Sequence, residues 1–403
     1  KCGITGTNGK TSVSFMYRSI MEAAEWGKMG IVGTLGHGAG GGLDKTVHTT
    51  PDPVKLHSLF REMVDSGCSG VVMEVSSHAV RQHRAWGLEF EVGILTNVTH
   101  DHLDFHKSIE DYRAAKREFC NSLRDPRRRK PAGVLVYSID DPVATDIGTQ
   151  YDSAKYAVTV SGKIPGAESG KVNPTVVSAG EVKAGLDGTR FTLAIGRDSD
   201  PVDIRMKLLG SFCAINAAMA AAAAHASGLD MKSIKSGLER LERIPGRFEA
   251  IGGSGKPVVI VDYCHTPDAL ERVLQTCRGL NPDRLTVVFG CGGDRDRLKR
   301  PEMGRIAGEL SDAVVLTTDN PRSESVELII EEIKSGMDNT ASDCRVELDR
   351  SRAIHETVIA AGGNDIVALL GKGAEEYQII GVEKTPFSDR LEAEAALKLW
   401  KAS

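Results

Sequence analysis

A run of small residues near the start of the chain contains one lysine and one threonine. This run, Gly6-Thr7-Asn8-Gly9-Lys10-Thr11, follows a strand-like stretch and leads into a helical segment that starts at Ser12. Small residues let backbone N–H groups close around phosphates, while the lysine reaches the β- and γ-phosphates and the threonine hydroxyl reaches Mg²⁺. Because Ile4 stands where the strict GxxxxGK[ST] pattern has its first glycine, a Gly-rich turn with an exposed lysine is the alternative interpretation.

Acidic and imidazole side chains follow two later strand-like stretches. Glu74 ends one apolar stretch, and residues 100–106 hold three histidines and two aspartates after another. An acid at the carboxyl edge of a parallel sheet lies beside a phosphate loop, where a Mg²⁺ ligand is needed. The sequence therefore predicts a metal site at this edge, with buried zinc as the alternative for residues 100–106. Lys116 lies on the helical segment 111–120, where an ordinary solvated lysine is the alternative.

Composition restricts the class of protein. The chain has 403 residues, of which 41% are hydrophobic and 26% charged, so a packed core is feasible and wholesale disorder is excluded. A formal charge of −5 argues against nucleic acid or an anionic membrane as the main partner. No apolar run approaches the ~18 residues that span a bilayer. The eight cysteines are scattered without a CxxC pair, which indicates a reducing compartment.

Short apolar strands alternate with helical segments almost throughout the sequence. This alternation predicts an α/β fold, in which a P-loop central domain with a mainly parallel sheet precedes a smaller Rossmann-like C-terminal domain. The alternation restarts after Pro245-Gly246-Arg247, so we place the two domains at residues 1–246 and 247–403. Within the first domain, residues 158–205 are typical of antiparallel strands, and the alanine-rich residues 210–227 predict a closely packed helix.

Taken in order, these motifs resemble the Mur ligases, and the resemblance covers essentially all of the chain. In its first part it rests on the phosphate loop, Glu74 to His78, Thr96-Asn97, Asp101 to His106 and Ala115-Lys116. It continues through Gly210, Asn216, Pro245-Gly246-Arg247, Asp262-Tyr263, His265 to Leu270, Gly290 to Asp296, Asp319 to Arg322, Gly371-Lys372-Gly373 and Ser388-Asp389-Arg390. Within the family, the chain is most similar to the type that adds the third residue of the peptidoglycan stem peptide.

The resemblance implies an ATP-dependent ligase that uses two Mg²⁺ ions. In this family ATP phosphorylates the carboxylate of a UDP-muramoyl dipeptide, and an amino acid's amine then displaces phosphate to form an amide. The implied catalytic residues are Lys10, His102 and Lys116, with Lys116 carbamylated so that a cation becomes a metal-binding carboxylate. The implied ligand contacts are Gly6 to Ser12, Arg247 and His265 for ATP; Thr11, Glu74, His102 and Lys116 for Mg²⁺; and Thr49, Thr50, Ser76, Gln82 and Arg84 for the muramoyl dipeptide.

The resemblance also implies which amino acid is added. The run Asp319-Asn320-Pro321-Arg322 has the form associated with meso-diaminopimelate, whose far end is a second zwitterion. In a closed pocket, Arg295 and Arg322 are expected to grip its distal carboxylate, while Glu375 and the Gly371 carbonyl receive its distal ammonium. The chain departs from the family pattern at three positions, where the usual Asn, Ala and His are replaced by Ser138, Cys264 and Ala374. Of these, Ala374 removes a polar group beside the amino-acid site.

Two other functions are left open by the sequence. One is a structural component similar to Mur ligases, of the kind associated with the plastid transcription machinery, and the other is a related amide ligase such as folylpolyglutamate synthase. Because the ATP, metal and 319–322 residues all persist, we favour the ligase, with a nucleotide-sugar peptide and an amino acid as substrates.

The remaining expectations concern surroundings and completeness. For the enzyme we expect a cytoplasmic monomer, or a stromal one in a plant or alga, with no membrane contact. Nucleic acid is expected only for the structural alternative, so the basic run 127–130 is interpreted as a solvated loop. Since Lys1 leads almost directly into the phosphate loop, we expect that upstream sequence is missing. The family's uridine-binding domain is not in this chain, so either the chain is a fragment or it does not hold UDP in the family's usual way.

Overall fold

The computed structural model describes residues 1–40, 42–45, 48–99, 105–162, 172–197, 199–337, 340 and 342–402. The chain forms two compact units. Unit 1 comprises Lys1–Lys183, Gly188–Lys207 and Ser211–Glu242, and unit 2 comprises Ala184–Asp187, Leu208–Gly210 and Arg243–Ser403. Across the described residues, no helix is both long and apolar enough to cross a membrane. All eight cysteines are free thiols.

Unit 1 is built on one large sheet with helices packed against it. Its strands are β1 (Cys2–Thr5), β2 (Lys28–Gly33), β3 (Gly36–Ala39), β4 (Cys68–Glu74), β5 (Val92–Leu95), β6 (Val134–Ser138), β7 (Lys155–Thr159), β8 (Thr175–Gly185), β9 (Gly188–Ile195) and β10 (Val202–Met206). Its helices are α1 (Lys10–Ala23), α2 (Pro53–Asp65), α3 (Ser77–Arg81), α4 (Ile109–Ser122), α5 (Pro142–Thr149), α6 (Phe212–Ala226) and α7 (Met231–Glu239).

The strand order of this sheet determines which loops meet. The order is β10-β9-β8-β7-β6-β5-β1-β4-β2-β3, so β1 pairs with β4 on one side and β5 on the other, both in parallel. The carboxyl ends of these three strands therefore lie at one edge. There they carry the phosphate loop, Glu74 and the start of the segment that follows Leu95. The predicted mainly parallel sheet is confirmed, with antiparallel pairs β2–β3 and β9–β10 among the described strands.

The alanine-rich helix α6 packs where side chains must be small. Residues Ala217 to Ala224 are all buried, and α6 contacts both α1 and the sheet. Alanine has no side-chain entropy to lose and lets backbones approach closely, so this composition is that of a buried helix. The packing of α6 and α7 on α1 fixes the helix that follows the phosphate loop.

Unit 2 contains a smaller parallel sheet and one hairpin. Its strands are β11 (Glu249–Gly252), β12 (Val258–Asp262), β13 (Leu285–Phe289), β14 (Ala313–Leu316), β15 (Asp343–Val346), β16 (Ile366–Leu370), β17 (Tyr377–Ile380) and β18 (Glu383–Pro386). Its helices are α8 (Pro267–Gly279), α9 (Lys299–Leu310), α10 (Val326–Lys334), α11 (Arg350–Ala360) and α12 (Asp389–Leu399). The sheet has the order β11-β12-β16-β13-β14-β15, and only β11 runs antiparallel to its neighbour.

Side-chain caps fix where many of the helices begin. A Ser, Thr or Asp oxygen accepts an amide N–H from the first turn at Asp52, Ser76, Ser108, Asp141, Asp230, Thr266, Ser325, Asp349 and Ser388. Each such cap contributes about 1 kcal/mol of helix stability. Because Ser76 and Ser108 begin α3 and α4, their caps also set the orientation of the predicted site residues on those helices.

The basic run 127–130 is held by local partners. Arg127 pairs with Asp125, Lys130 pairs with Glu91, and the Arg128 guanidinium donates to the carbonyls of Phe90 and Pro131. Three of its four residues are exposed. These contacts are those of a solvated loop whose charges are largely paired with neighbouring residues, as the sequence predicts.

Candidate active site

The phosphate loop between β1 and α1 requires glycine at two positions. Gly6 and Gly9 have φ angles of 141° and 86°, in the region that L side chains rarely adopt. A Cβ on Gly6 would lie 1.9 Å from Thr96 Oγ1, and a Cβ on Gly9 would lie 2.6 Å from Asn216 Oδ1. The backbone can therefore close tightly ahead of α1, whose N-terminus is a ready site for a phosphate.

Asn97 forms hydrogen bonds with the phosphate loop from the segment that follows the neighbouring strand β5. Its Oδ1 accepts the Asn8 N–H at 2.9 Å, its Nδ2 donates to Asn8 O at 3.2 Å, and its carbonyl accepts the Thr7 N–H at 2.9 Å. The Thr96 hydroxyl adds a bond to Asn8 O at 2.7 Å. Asn97 belongs to the Thr96-Asn97 motif of the family resemblance, which assigned it no contact. Its position just after β5, the neighbour of β1, is what brings it to the loop.

Lys10 begins α1 and lies over the loop that precedes it. Its Nζ donates to the carbonyls of Gly6 at 3.0 Å and Thr7 at 2.8 Å. Ser12 is buried on the same helix. The predicted loop residues from Gly6 to Ser12 are thus brought together by one strand–loop–helix unit.

Glu74 is a buried carboxylate that contacts the phosphate-loop threonine. Its Oε1 accepts from Thr11 Oγ1 and from the Thr34 N–H, each at 3.0 Å, and its Oε2 accepts from the Thr34 hydroxyl at 3.0 Å. A carboxylate and a hydroxyl are the hard oxygen donors that Mg²⁺ prefers, so Thr11 and Glu74 fit one magnesium ion. Thr34 was not singled out by the sequence, because nothing local marks it.

The predicted second metal site is described only in part. His102 lies outside the described residues, as do His100, Asp101 and Asp104. Over the part of the chain that is described, no group of three or more His, Cys, Asp or Glu side chains could hold a metal ion.

Lys116 is a buried lysine beneath the phosphate loop. Its side chain is 1% exposed, its Nζ donates to Thr5 Oγ1 and Gly6 O at 3.1 Å each, and it lies 5.0 Å from the ring centre of Tyr112. The alternative of a solvated lysine is therefore wrong. Tyr112 in turn bonds Thr7 through their hydroxyls at 2.8 Å, which joins α4 to the phosphate loop.

The residues predicted to contact a muramoyl dipeptide lie around the start of α3. Thr50 donates its hydroxyl to Glu74 O at 2.9 Å and accepts the Ser76 N–H at 3.1 Å. Arg84 donates to Thr50 O at 2.9 Å, and the Thr49 hydroxyl lies 3.1 Å from that of Thr34. Gln82 follows α3 and is exposed. Four of the five predicted residues thus lie in one hydrogen-bonded group beside Glu74.

Behind α3, a serine, a histidine and an aspartate form a hydrogen-bonded row. His106 Nε2 lies 2.9 Å from Ser77 Oγ, and its Nδ1 lies 2.8 Å from Asp111 Oδ2. The hydrogen bond from His106 lowers the pKa of Asp111, so the Asp111 carboxylate stays ionised and accepts a hydrogen bond from the His106 Nδ1–H. Ser77 and His106 are buried, so this row ties the segment before α4 to α3 rather than facing a substrate.

In unit 2, Arg247 and His265 meet at Tyr263. The Arg247 guanidinium lies 4.7 Å from the Tyr263 ring centre, and His265 Nδ1 lies 3.0 Å from Tyr263 O. Burial, together with the nearby charge of Glu375, raises the pKa of Tyr263 to about 12, so this side chain stays a neutral phenol. The two residues predicted to approach a nucleotide from this unit are therefore neighbours.

Residues 319–322 belong to a cluster of polar side chains in the same unit. Asn320 Nδ2 donates to Glu375 Oε2 at 2.9 Å, and a Cβ on Gly371 would lie 2.7 Å from Asp319 Oδ2. Pro321 is buried, and the Arg322 guanidinium donates to Gly293 O at 2.7 Å. Except for Arg295, the predicted amino-acid-binding residues thus converge at the carboxyl ends of β14 and β16.

Arg295 differs from Arg322 in its exposure. A Cβ on Gly292 would lie 3.1 Å from Arg322 Nη1 and 3.9 Å from Arg295 Cγ, so both arginines border the same glycine. Arg322 is half-buried, but Arg295 is exposed and donates only to the neighbouring Asp294 carbonyl at 3.0 Å among its described hydrogen bonds. In unit 2, Arg295 is thus more exposed than Arg322, and the enclosure of both arginines in a closed pocket stays a prediction. Water can solvate this guanidinium, so leaving it unpaired costs less.

A fully buried ion pair lies next to this polar cluster, where Arg350 contacts the backbone that precedes Asp319 and Gly371. Arg350 and Asp389 are joined by two bonds of 2.7 Å, and Arg350 also donates to Leu370 O at 3.1 Å.

We expect Arg350→Met to lower the free energy of unfolding by about 3 to 5 kcal/mol, because Asp389 is left charged and unpaired in the interior. Urea unfolding measures this loss. The double variant Arg350→Met/Asp389→Leu should recover most of it, and an Arg350→Met protein as stable as wild type would contradict the pair's role.

Two protein-family models match most of the chain. The model of the Mur ligase middle domain matches residues 4–224, and that of the Mur ligase glutamate ligase domain matches residues 246–373. The chain belongs to the Mur ligase family. A curated Mur ligase of Gloeobacter violaceus, named UDP-N-acetylmuramoyl-L-alanyl-D-glutamate–2,6-diaminopimelate ligase, is 41% identical over 396 residues, which are 98% of this chain and 76% of the relative.

Solved structures of Mur ligases agree with the fold. A structure described by the same ligase name has a TM-score of 0.64 and 31% identity, and the match covers 99% of this chain and 78% of that one. Folylpolyglutamate synthase of Mycobacterium tuberculosis has a TM-score of 0.67 at 19% identity, covering 92% of this chain and 88% of that one. The second likeness shows a shared fold only, so it does not support the folate-ligase alternative. No finding supports the structural-component alternative either.

Proposed function

We propose that this Mur ligase catalyses the ATP-dependent joining of meso-diaminopimelate to UDP-N-acetylmuramoyl-L-alanyl-D-glutamate in peptidoglycan synthesis. The observation that carries the proposal is the 41% identity, over 98% of the chain, to a ligase named for this reaction. The assembled cluster of Asn320, Arg322 and Glu375 supports it, because these groups suit a substrate end that bears both charges.

The first chemical step is phosphoryl transfer. The substrate carboxylate attacks the γ-phosphorus of ATP, ADP leaves, and an acyl phosphate forms. Both reactants are anions, so the site must neutralise charge and hold the groups in line. We propose that Lys10 and the N–H groups at the start of α1 do this. The bonds of Lys10 to Gly6 O and Thr7 O, and those of Asn97 to Asn8, support the proposal because they keep these groups at the loop.

The second step forms the amide. The amine of the incoming amino acid attacks the acyl carbon and loses a proton. The bond between the acyl carbon and the phosphate oxygen then breaks, and inorganic phosphate leaves with that electron pair. We propose that Thr49, Thr50, Ser76, Gln82 and Arg84 hold the muramoyl dipeptide for both steps. Hydroxyl groups and one guanidinium suit its carboxylates and amides.

Magnesium is the proposed cofactor. Thr11 and Glu74 would hold one ion, and His102 with a carbamylated Lys116 would serve a second. Bound Mg²⁺ would neutralise phosphate charge in the transition state. The buried contact between Thr11 and Glu74 supports the first site through its hard oxygen donors.

The two units are assigned complementary roles. We propose that residues 1–246 form the ATP-binding domain and residues 247–403 the amino-acid-binding domain, with Arg247 and His265 contributing to the nucleotide. The contacts of Arg247 and His265 with Tyr263 support a shared role for these two residues. We further propose a cytoplasmic monomer that needs no membrane or nucleic-acid partner.

A substrate-dependence assay tests the proposed function. The purified protein at its full natural length is given ATP and Mg²⁺, and phosphate release is measured with each substrate alone and with both. We expect release to require the muramoyl dipeptide and diaminopimelate together, with one amide product formed per phosphate. Phosphate release that does not depend on the muramoyl dipeptide, or a protein inactive with both substrates, would contradict the proposal.

A further inference from the structure

Lys372 is a buried cation in unit 2 for which neither the sequence motif nor the proposed reaction supplies a role. It lies in the Gly371-Lys372-Gly373 turn after β16, and its side chain is fully buried. Its Nζ lies 3.1 Å from Asn320 Oδ1, 3.4 Å from Glu375 Oε2 and 3.5 Å from Asp319 Oδ1. An ammonium is tolerated in a protein interior only when such partners compensate it. These three polar partners are all residues of the proposed amino-acid site.

These contacts occupy one side of the Glu375 carboxylate. Its Oε2 accepts from Asn320 Nδ2 at 2.9 Å and faces Lys372, while its Oε1 has a long contact of 3.5 Å from the Tyr377 hydroxyl. The Asn320 amide is itself fixed, because its Oδ1 also accepts the Ile379 N–H at 2.9 Å. A carboxylate has two oxygens that accept hydrogen bonds, so Oε1 is the oxygen with the weaker existing contact, and it can take a substrate ammonium.

The charges of this cluster are matched to a particular substrate end. Asp319 and Glu375 bring two negative charges, and Lys372 neutralises one of them. Arg322 and Arg295 add positive charge beside Gly292. A side chain that ends in one ammonium and one carboxylate finds a partner for each charge. A side chain that ends in an ammonium alone meets an excess of cations.

We infer that Lys372 is a specificity-determining residue of the amino-acid site. By neutralising one of two carboxylates, it makes the site favour an amino acid with a zwitterionic far end over one with only a distal ammonium. This inference rests on the proposed function. Without Lys372 the cluster gains one negative charge, which strengthens binding of a lone ammonium and weakens binding of a distal carboxylate.

The test compares two amino acids in charge-removing variants. We measure kcat/KM for meso-diaminopimelate and for L-lysine in wild type, in Lys372→Met and in Lys372→Gln. The ratio of kcat/KM for meso-diaminopimelate to kcat/KM for L-lysine should fall by about tenfold or more in both variants. This is the scale of discrimination that single contacts provide. The KM for ATP should stay within about twofold of wild type, because Lys372 is not among the residues proposed to contact ATP.

Two further variants separate charge from structure. Lys372→Met/Asp319→Asn removes one charge of each sign, so the ratio should return toward the wild-type value. Lys398→Met, the same change at an exposed lysine of α12, should leave the ratio unchanged. Thermal unfolding identifies the folded variants. Should Lys372→Met fail to fold, Lys372→Gln and the double variant decide the result.

The outcomes distinguish this inference from the proposed function. A folded Lys372→Met or Lys372→Gln protein with a wild-type ratio overturns the role of Lys372, as does an equal loss of turnover with both amino acids. If wild type ligates diaminopimelate while the ratio does not move, only the inference fails. If wild type ligates neither amino acid, the proposed function fails and the inference falls with it.

Discussion

Replacing Lys116 with alanine is expected to lower the rate of ligation by on the order of 10³-fold, the loss that follows when a transition-state charge contact is removed. The side chain is buried beneath the phosphate loop, where Nζ bonds Thr5 Oγ1 and Gly6 O. Carbamylation would leave one N–H on this nitrogen, so one of these two bonds could persist while the new carboxylate served the proposed second Mg²⁺. These two bonds hold the lysine at the edge of the sheet that carries the phosphate loop.

The measurement is product formation with and without a small carboxylate. Formate or acetate should partly restore ligation in Lys116→Ala, because either can occupy the space of the missing carbamate. Lys155→Ala is the matched control, since Lys155 is also buried in unit 1 but its Nζ bonds the carbonyls of residues 148, 149 and 151. Its loss should reduce stability and should not be rescued by carboxylates. Full ligation by Lys116→Ala would rule out the proposed role.

The local part of this site could be predicted from sequence, because one short segment carries both the structure and the chemistry. The phosphate loop is such a segment, since its glycines, its lysine and the start of α1 are consecutive. Glu74 could also be placed, because it ends a strand and parallel strands end at one edge. The alternation of strands and helices likewise predicted the α/β class, which depends on periodicity rather than on particular contacts.

The rest of the site depends on contacts between distant parts of the chain. Asn97 holds Asn8 only because β5 is the neighbour of β1, and Thr34 reaches Glu74 only because β2 pairs with β4. Strand order is set by the packing of the whole sheet, which no local pattern encodes. The burial of a side chain is equally non-local. No local pattern indicated that Lys116 is buried, and this residue received a role only through the family resemblance. Likewise, no local pattern indicated that Arg295 is exposed in this structure.

The amino-acid preference gives the second large effect. We expect wild type to prefer meso-diaminopimelate to L-lysine, and Arg322→Ala to lose on the order of 10²-fold in kcat/KM for diaminopimelate. The Arg322 guanidinium is half-buried and fixed by Gly293 O, so it is oriented before a substrate carboxylate arrives. Its backbone has a φ angle of 53°, an uncommon conformation for a non-glycine residue, and the turn holds it there through the Gly381 N–H bond to Arg322 O at 2.9 Å.

Arg295→Ala is the matched comparison for this prediction. Because Arg295 is exposed, water solvates its guanidinium, and its removal should cost less than about tenfold in kcat/KM. ATP binding, measured by calorimetry, should be unchanged in both variants, because neither residue is among those proposed to contact ATP. A preference of wild type for lysine, or equal losses in the two variants, would mean that a fixed half-buried guanidinium does not select the distal carboxylate. The unequal losses expected here follow from the partial burial of Arg322 and from its bond to Gly293 O, since both residues are arginines beside the same glycine.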